Sequence, residues 1–593
     1  MKFIKTVFLI LLIFSFKSSL SQDSILLPSN QSISIFLNDF NSKKVDLSKT
    51  PGWSTAVYME NSIDMTKSYG YTSTEKVDLV NGNSVFRLAS VSKIFTAIAV
   101  MQQVEKGKLS LSENIQSYLS VDLGLKYPIT LKHLLTHTAG FEDKFYGDSS
   151  RNEEGLQDLG EHLKNFLPTQ VYEPGKIIAY SNYGNALAAF VVESVTNVSF
   201  WKYVEDSILK PLHMEDSGYL LNSKLKNNLV SGYDMKKNKL VKQPYSWVHR
   251  YPASSIMSTS NDMLKLIKAL LNDGTEKKGA ILSKESINTM FSPHFYQNKE
   301  LPPMSLTWMP LVGKNIENGY WHDGSMLGYF STLVILPEKK AGFFITCNSR
   351  YRDITGILKH EYVDFLFNSP NDSNETKTLS IPFEDFSGSY VRSRKNYTTF
   401  EKMSSLTKDP LILSKSSEGI VWKDNVYKPF AANKFISNKG YKLIFEKNEY
   451  NTLLHVSIGG VPITYIKQHF FETSSFQFST IIGLLSLMLI LLIVNVYQYF
   501  KKKKFLWIIL HQFTLIVFFS FTFYLLSNIS STNIRFGEIM SLKILLIFPL
   551  LSIVFLFLSL RKFNKNIVYL MSLTVSILTL VWAYYWNVLG WNF

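Results

Sequence analysis

The spacing of apolar and polar residues divides the chain into regions of different kinds. Up to about residue 367, strand-like runs alternate with longer helical runs, which is typical of an α+β domain. The runs 53–60 and 64–71 predict a hairpin. An almost wholly apolar run follows Ser90 and predicts a helix, buried on nearly every face, that ends near Gly107.

The rest of this first region continues the mixture of helices and strands. Helices are predicted at 186–196, 261–271 and 362–367, and strands at 329–336 and 342–348. Together these elements predict one domain covering residues 22–368.

Beyond this domain the pattern changes twice. A polar run that starts at Asn368 predicts a linker at 369–382. Residues 383–470 alternate short β-type runs with turn signals, which predicts a small antiparallel barrel or sandwich without a recognisable reaction centre. Four apolar stretches within 478–588 are each near the ~20 residues that a bilayer requires, and they predict a four-helix transmembrane bundle. The stretches are 478–499, 505–527, 541–560 and 567–588.

The N-terminus has the features of a secretory signal. Residues 1–21 combine Lys2 and Lys5 with a short apolar core and a Ser19-Leu20-Ser21 site, which predicts a signal peptide. Because the apolar core is short for a membrane span, an uncleaved anchor is the less favoured alternative. Either alternative places the following segment outside the cytoplasm.

The charge distribution agrees with a membrane protein rather than a nucleic-acid-binding one. The net charge is +15, and residues 478–593 contribute more than half of it, with nine lysines and arginines against Glu538. The basic loops 501–504 and 561–565 are expected in the cytoplasm, which places residues 22–477 in the periplasm or outside the cell. We therefore expect a multi-pass protein of the cell membrane whose partner is the lipid bilayer. His511 and Gln512 are expected to reach the cytoplasmic interface.

The residues that commonly bind metals are sparse. Cys347 is the only cysteine, so the chain has no intramolecular disulfide and no cysteine-rich metal site, and we expect a small buried residue in a strand. His133 and His137 are four residues apart on a predicted helix. No glutamate follows the first of them, so a structural role is favoured over a metal pair. Neither a cofactor nor a metal is predicted.

Ser90 and Lys93 form the first motif with chemical potential. Residues three apart share a helix face, so both side chains are expected to point the same way. A serine attacks poorly until a base takes its proton, and a lysine can act as that base if its pKa is lowered. Such a short motif is unspecific, and a capping serine with an exposed lysine is the alternative. A lysine within an apolar helix is, however, costly without a function.

Two later motifs complete an ordered set with Ser90-Val-Ser-Lys93. They are Tyr180-Ser-Asn182, on a loop before an apolar helix, and His322-Asp-Gly324, ahead of two strands. With the run 134–140, they resemble the penicillin-recognising serine hydrolases over about residues 30–367. The similarity is to the branch of class C β-lactamases, DD-peptidases, D-aminopeptidases and esterases. It implies a β-lactamase-like fold, in which helices and an all-α subdomain flank an antiparallel sheet.

The resemblance also implies roles for individual residues. Ser90 is the implied nucleophile, which forms an acyl-enzyme with a peptide, ester or lactam. Lys93 and Tyr180 share the general-base role, and the charge of the lysine lowers the pKa of the phenol. Asn182 holds Lys93 and binds the substrate amide.

The third motif carries a departure from the β-lactamases, which usually have Lys-Thr-Gly there. His322 takes the place of that lysine, and a histidine is mostly neutral near pH 7, which favours peptide or ester cleavage over penicillin destruction. Gly324 is implied to let the substrate backbone lie close to the strand. The backbone N–H groups of Ser90 and Ser325 are implied to form the oxyanion hole.

The sequence leaves other functions open. The same acylation site suits a DD-carboxypeptidase, a β-lactamase, or a penicillin-binding sensor that signals through its helices. A further alternative to an enzyme or a sensor is a transporter or structural membrane protein with an inactive hydrolase domain. The presence of both Ser90 and Lys93 counts against this alternative. Peptidases that activate secreted prodrugs suggest, by analogy, that the membrane helices hold the cleft near substrates emerging from the bilayer.

Overall fold

The computed structural model describes most of the chain between residues 28 and 587. The described ranges are 28–75, 77–271, 281–313, 316–351, 353–367, 383–407, 410–423, 425–437, 441–449, 451–458, 461–502, 506–528, 535, 537, 547–561 and 567–587. The predicted signal peptide and the predicted linker lie outside these ranges.

A six-stranded antiparallel sheet forms the centre of the first domain. Its strands, in spatial order, are Ile63–Gly70, Gly52–Met59, Ala341–Cys347, Tyr329–Leu336, Ile316–Met326 and Met309–Gly313. The first two strands are the predicted hairpin, which is confirmed. Cys347 is fully buried and ends the third strand, also as predicted.

Helices cover both faces of this sheet and form an all-α lobe. The longer helices are Asn30–Lys44, Ser92–Glu105, Asn182–Thr196, Ser260–Leu271, Lys284–Phe291 and Ile354–Phe367. Shorter helices are Leu131–Leu135, Leu159–Asn165, Phe200–Val204 and Ser223–Asn228. Short strand pairs join Phe86–Arg87 to Met257–Ser258, Ser149–Ser150 to Trp247–Val248, and Tyr233–Lys236 to Lys239–Lys242.

The helix Ser92–Glu105, which we call the core helix, explains the apolar run after Ser90. All residues from Ser92 to Gln103 are buried, because other helices, among them Asn182–Thr196 and Lys284–Phe291, pack around the core helix. Ser90 itself lies in a single 3₁₀ turn, Ala89–Val91, ahead of the helix. Ala89 in that turn has φ of +48°, a conformation that L-residues seldom adopt and that is common at functional sites.

The second domain is a closed barrel rather than a sandwich. Eight antiparallel strands follow one another around it, and the last strand pairs with the first. The strands are Gly388–Arg392, Leu411–Lys415, Ile420–Trp422, Asn425–Ala431, Lys434–Ser437, Lys442–Asn448, Asn451–Ile458 and Val461–Lys467. Its interior is filled by aromatic side chains such as Phe386, Phe435 and Phe445, and the first and last of these stack.

Four apolar helices end the described chain. They are Ser474–Lys502, Leu506–Asn528, Ile547–Leu560 and Ile567–Tyr585. Two segments, Ser474–Lys501 and Ile567–Tyr585, are long and apolar enough to cross a membrane, with mean hydropathies of 2.5 and 1.9. The structure therefore supports two of the four predicted spans, and the start of the third, 541–546, lies outside the described residues.

Polar side chains lie between these apolar helices. Asn495 donates hydrogen bonds to Gln512 at 3.1 Å and to Ser572 at 2.9 Å. His511 Nδ1 lies 2.8 Å from the Ser552 hydroxyl oxygen. His511 and Gln512 are both fully buried, so the expectation that they reach the interface is wrong. They join the helices to one another because an apolar surrounding offers polar groups no other partners.

The segment 393–406, which we call the junction segment, is the part of the barrel domain between its first and second strands, and it contacts the other two parts of the molecule. It leaves the first barrel strand and packs on the first domain, where Glu142 accepts hydrogen bonds from the backbone N–H groups of Tyr397 and Thr398 at 2.6 and 2.9 Å. Its last turn, Phe400–Leu406, packs against the apolar helices. The barrel is thereby held beside the first domain.

Candidate active site

A cleft of about 580 Å³ opens where the 3₁₀ turn with Ser90, the strand with His322 and the loop before Asn182 meet. The core helix positions Lys93 beneath it, and the strand Ile316–Met326 forms one wall. The opposite wall includes Arg392 and Arg394 from the barrel domain. The three motifs predicted from the sequence therefore converge on one cleft.

Lys93 links two of these motifs directly. Its Nζ donates hydrogen bonds to Asn182 Oδ1 at 2.8 Å and to the carbonyl of Ala253 at 2.7 Å, and it lies 3.1 Å from Ser90 Oγ, whose hydroxyl can donate to the neutral amine. The side chain is fully buried, so the alternative of an exposed lysine beside a capping serine is wrong. Burial, followed by the positive charge of Arg394, holds the pKa of Lys93 well below its usual range. A neutral amine in this place can accept the proton of Ser90.

Tyr180 lies on the other side of the serine. Its hydroxyl interacts with the side chain of Ser90, and its ring centroid is 4.9 Å from Lys93 Nζ. Burial raises the pKa of the phenol, whereas the interaction with Ser90 and the charge of Arg394 act in the opposite direction.

A cation that the sequence did not indicate also lies beside this phenol and lowers its pKa. The guanidinium carbon of Arg394 lies 4.7 Å from the ring centroid of Tyr180. Lys93 was expected in this role, but its own lowered pKa makes it a poor source of permanent positive charge. The role implied for Lys93 toward Tyr180 stays a prediction, and the permanent charge beside Tyr180 is an arginine of the junction segment.

His322 is fully buried beside these groups, and its ring centroid is 6.2 Å from that of Tyr180. Burial is the main cause that lowers the pKa of His322, to about 3, so the ring is neutral near pH 7. Nδ1 lies 2.7 Å from the backbone oxygen of Asp323, which can only accept, so the proton is on Nδ1. Within the described ranges, Nε2 has no hydrogen-bond partner and is a free acceptor.

Gly324 has a structural role besides the implied one toward the substrate, which stays a prediction. A Cβ there would lie 2.1 Å from the carbonyl oxygen of Leu88 and 3.1 Å from the backbone N of Ser90. The glycine therefore lets the strand approach the turn that carries Ser90. Ser325, one residue further, faces the cleft. This approach brings the strand next to the backbone N–H of Ser90, although the oxyanion hole itself stays a prediction.

Comparisons with known proteins agree with this arrangement. The profile of the family described as Beta-lactamase matches residues 40–363, more than half of the chain. The chain belongs to the beta-lactamase family. Protein flp of Staphylococcus aureus strain MRSA252 is 22% identical over 318 residues, which are 52% of this chain and 62% of that protein. The chain thus matches about three fifths of the length of this relative.

Two further comparisons concern another relative and the fold. Penicillin-binding protein 4* of Bacillus subtilis strain 168 is 25% identical over 333 residues, which are 52% of this chain and 70% of that protein. The crystal structure of SurE is 17% identical, with a TM-score of 0.53, and the match covers 74% of this chain and 99% of that one. The latter likeness concerns the fold alone.

Several charged residues of this beta-lactamase-family cleft were missed by the sequence analysis. Arg250 and Asp148 form an ion pair at 2.6 Å with both side chains only 2% exposed. Arg394 pairs with Asp143 at 2.8 Å. No local spacing marks these residues, since each pair joins distant parts of the chain. From the sequence alone, each arginine could be recognised only as a charged residue in a polar segment, without its partner.

The two histidines near position 135 do not share a helix, since the helix Leu131–Leu135 ends before His137, and only His137 lines the cleft. His137 has φ of +58° and is buried, and its Nδ1 accepts a hydrogen bond from the backbone N of Ser181 at 3.3 Å. Its ring lies 4.2 Å from that of Tyr180, so it supports the loop that carries Tyr180. His133 caps its own short helix. In the described part of the chain, no three His, Cys, Asp or Glu side chains cluster as metal ligands.

Proposed function

We propose that this protein is a membrane-anchored serine hydrolase that cleaves a peptide amide or an ester through an acyl-enzyme on Ser90. The observation that carries the proposal is the buried amine of Lys93, which contacts both Ser90 and Asn182. Such a group has a lowered pKa, and a base of this kind is what an attacking serine requires.

The reaction follows from the positions of the side chains. Ser90 Oγ attacks the substrate carbonyl while its proton passes to Lys93 Nζ or to the Tyr180 oxygen. The oxyanion is stabilised by the backbone N–H groups of Ser90 and Ser325, at roughly 3 kcal/mol per donor. The same base then returns the proton to the leaving amine or alkoxide, and an ester on Ser90 remains. Water attacks this ester in the second half, with the base again taking the proton.

The substrate class follows from the charge and size of the cleft. His322 is neutral and cannot act as a permanent cation for a substrate carboxylate, which favours peptides and esters over rapid turnover of penicillins. A cleft of about 580 Å³ is within the range that binds small molecules and short peptides. Because a relative is named a penicillin-binding protein, a DD-carboxypeptidase, a β-lactamase or a penicillin-binding sensor is the alternative.

The membrane location is part of the same proposal. Two apolar helices are long enough to span a bilayer, and the apolar segments Leu506–Ser520 and Leu551–Leu560 belong to the other two helices of the predicted bundle of four. The basic loops of the bundle favour the cytoplasmic side, so the cleft faces the periplasm or the exterior. The junction segment holds the cleft close to the apolar helices, which suits substrates released from the bilayer.

A labelling experiment tests the proposal. The full-length protein in detergent is treated with a fluorescent fluorophosphonate and, separately, with a fluorescent penicillin. Labelling by either probe should be lost in Ser90→Ala and kept in Ser254→Ala, since Ser254 lines the same cleft. Equal labelling of wild type and Ser90→Ala would refute the proposal. A sensor would differ from an enzyme by one burst of product without turnover.

A further inference from the structure

The barrel domain places a charged side chain in the hydrolase cleft. Arg394 Nε donates a hydrogen bond to Asp143 Oδ2 at 2.8 Å, and its guanidinium carbon lies 4.7 Å from the ring centroid of Tyr180. The same carbon is 5.9 Å from the ring of Phe145. A guanidinium over an aromatic face at these distances is held by a cation–π interaction. Arg394 therefore touches the proposed base rather than only the rim of the cleft.

Several hydrogen bonds fix the backbone on both sides of this arginine. Ser393 Oγ donates to the carbonyl of Ile178 at 2.7 Å, two residues before Tyr180. The backbone N of Asp143 donates to the carbonyl of Lys395 at 3.0 Å. Asn396 Nδ2 donates to the carbonyl of Asp143 at 3.0 Å. The first domain thus holds the junction segment in one place, so that the arginine is preorganised.

We infer that Arg394 is a positioning residue of the hydrolase site, through which the C-terminal barrel supplies the cation that favours the deprotonated base beside Ser90. This inference rests on the proposed function and extends it, because it makes the barrel domain part of the active site. The barrel domain thereby takes part in the reaction through Arg394.

The electrostatics support this role for either of the two possible bases. The charge of Arg394 lowers the pKa of Tyr180 and, after burial, is the largest cause that lowers the pKa of Lys93. Whichever of them accepts the proton of Ser90, the arginine stabilises its deprotonated form. The other charged or titratable groups that face this pair are Arg250, Asp143, Asp323, His137 and His322. The two aspartates act against the arginines, and the two histidines are neutral because burial lowers their pKa values.

A pH profile of the labelling rate tests the inference. The rate at which a fluorophosphonate labels Ser90 is measured on the full-length protein from about pH 5 to about pH 10. The acidic limb of this profile, where the labelling rate rises as the base loses its proton, should move to higher pH by roughly one unit in Arg394→Gln. A full charge at this distance moves the pKa of a neighbouring group by about one to three units, and the negative charge of Asp143 cancels a part of the effect of Arg394. Near pH 7 this corresponds to labelling that is slower by about tenfold. Arg394→Lys keeps the charge and should restore most of the shift.

Two further variants separate electrostatics from structure. Arg392→Gln removes another arginine of the same cleft wall and should leave the limb in place. Asp143→Asn removes the anion that offsets Arg394, so the limb should move in the opposite direction, to lower pH. A loss of folding or docking cannot produce these opposite shifts.

The outcomes separate this inference from the proposed function. Slower labelling of Arg394→Gln with an unmoved limb would overturn the inference and leave Arg394 as a docking contact only. Equal shifts in Arg392→Gln and Arg394→Gln would also overturn it, since the general charge of the cleft would then be responsible. If no labelling of the wild type depends on Ser90, the proposed function fails, and the inference fails with it.

Discussion

Replacement of Gly324 by alanine tests the close approach between the strand and the turn that carries Ser90. The added Cβ would lie 2.1 Å from the carbonyl oxygen of Leu88 and 2.4 Å from Ser331 Oγ. The side chain of Ser331 can rotate away from the added Cβ. The carbonyl of Leu88 is backbone and belongs to the turn that positions Ser90, so the strand or the turn must move.

The size of the effect follows from this distance. A contact of 2.1 Å must widen by roughly 1 Å before the atoms no longer overlap. A displacement of about 1 Å between reacting groups lowers a rate by about 10²-fold. Overpacking of a rigid site also costs about 1–3 kcal/mol of folding free energy. We therefore expect labelling of Ser90 in Gly324→Ala to be slower by about two orders of magnitude, with a modest loss of stability.

Gly184→Ala provides a matched control for this variant. Gly184 lies two residues after Asn182, in the first turn of the helix Asn182–Thr196, but its added Cβ would find its nearest neighbours at 3.5 Å, an ordinary contact. Alanine in a helix is also favoured over glycine by about 1 kcal/mol. The assay compares fluorophosphonate labelling rates and thermal unfolding of both variants with wild type. Labelling of Gly324→Ala at the wild-type rate would refute the argument that the strand sets the position of Ser90.

Two further predictions concern buried charge. Asp148→Ala leaves Arg250 buried without its ion-pair partner and should cost about 3–5 kcal/mol in denaturant unfolding, whereas a change below about 1 kcal/mol would contradict this. His322 has a pKa of about 3 in the folded protein and about 6.5 in the unfolded chain. Below pH 6.5 the unfolded chain therefore binds a proton that the folded protein does not bind, and the free energy of unfolding falls as the pH decreases toward 3. His322→Gln should lose less stability over this range than wild type, and equal losses in acid unfolding would contradict the assignment.

The sequence allowed the three motifs and most of the fold to be predicted. Ser90 and Lys93 are three residues apart, and the helical repeat alone places them together. The other two motifs are also local. Tyr180 and Asn182 precede a predicted helix, and His322 and Gly324 precede two predicted strands. The closure of the barrel was not predictable, because it depends on pairing between its first strand, Gly388–Arg392, and its last, Val461–Lys467. A sandwich and a barrel share the same short β runs.

The sequence by itself determined which chemical groups this protein has and which of them lie on common local elements, because hydrophobic period and residue spacing act over a few residues. Only the tertiary structure decided their electrostatic surroundings. Burial lowered the pKa of Lys93, and Arg394 became a neighbour of Tyr180 through docking of a separate domain. Coulomb interactions depend on distance through space rather than along the chain, so no local pattern could indicate that an arginine of the barrel stands beside Tyr180.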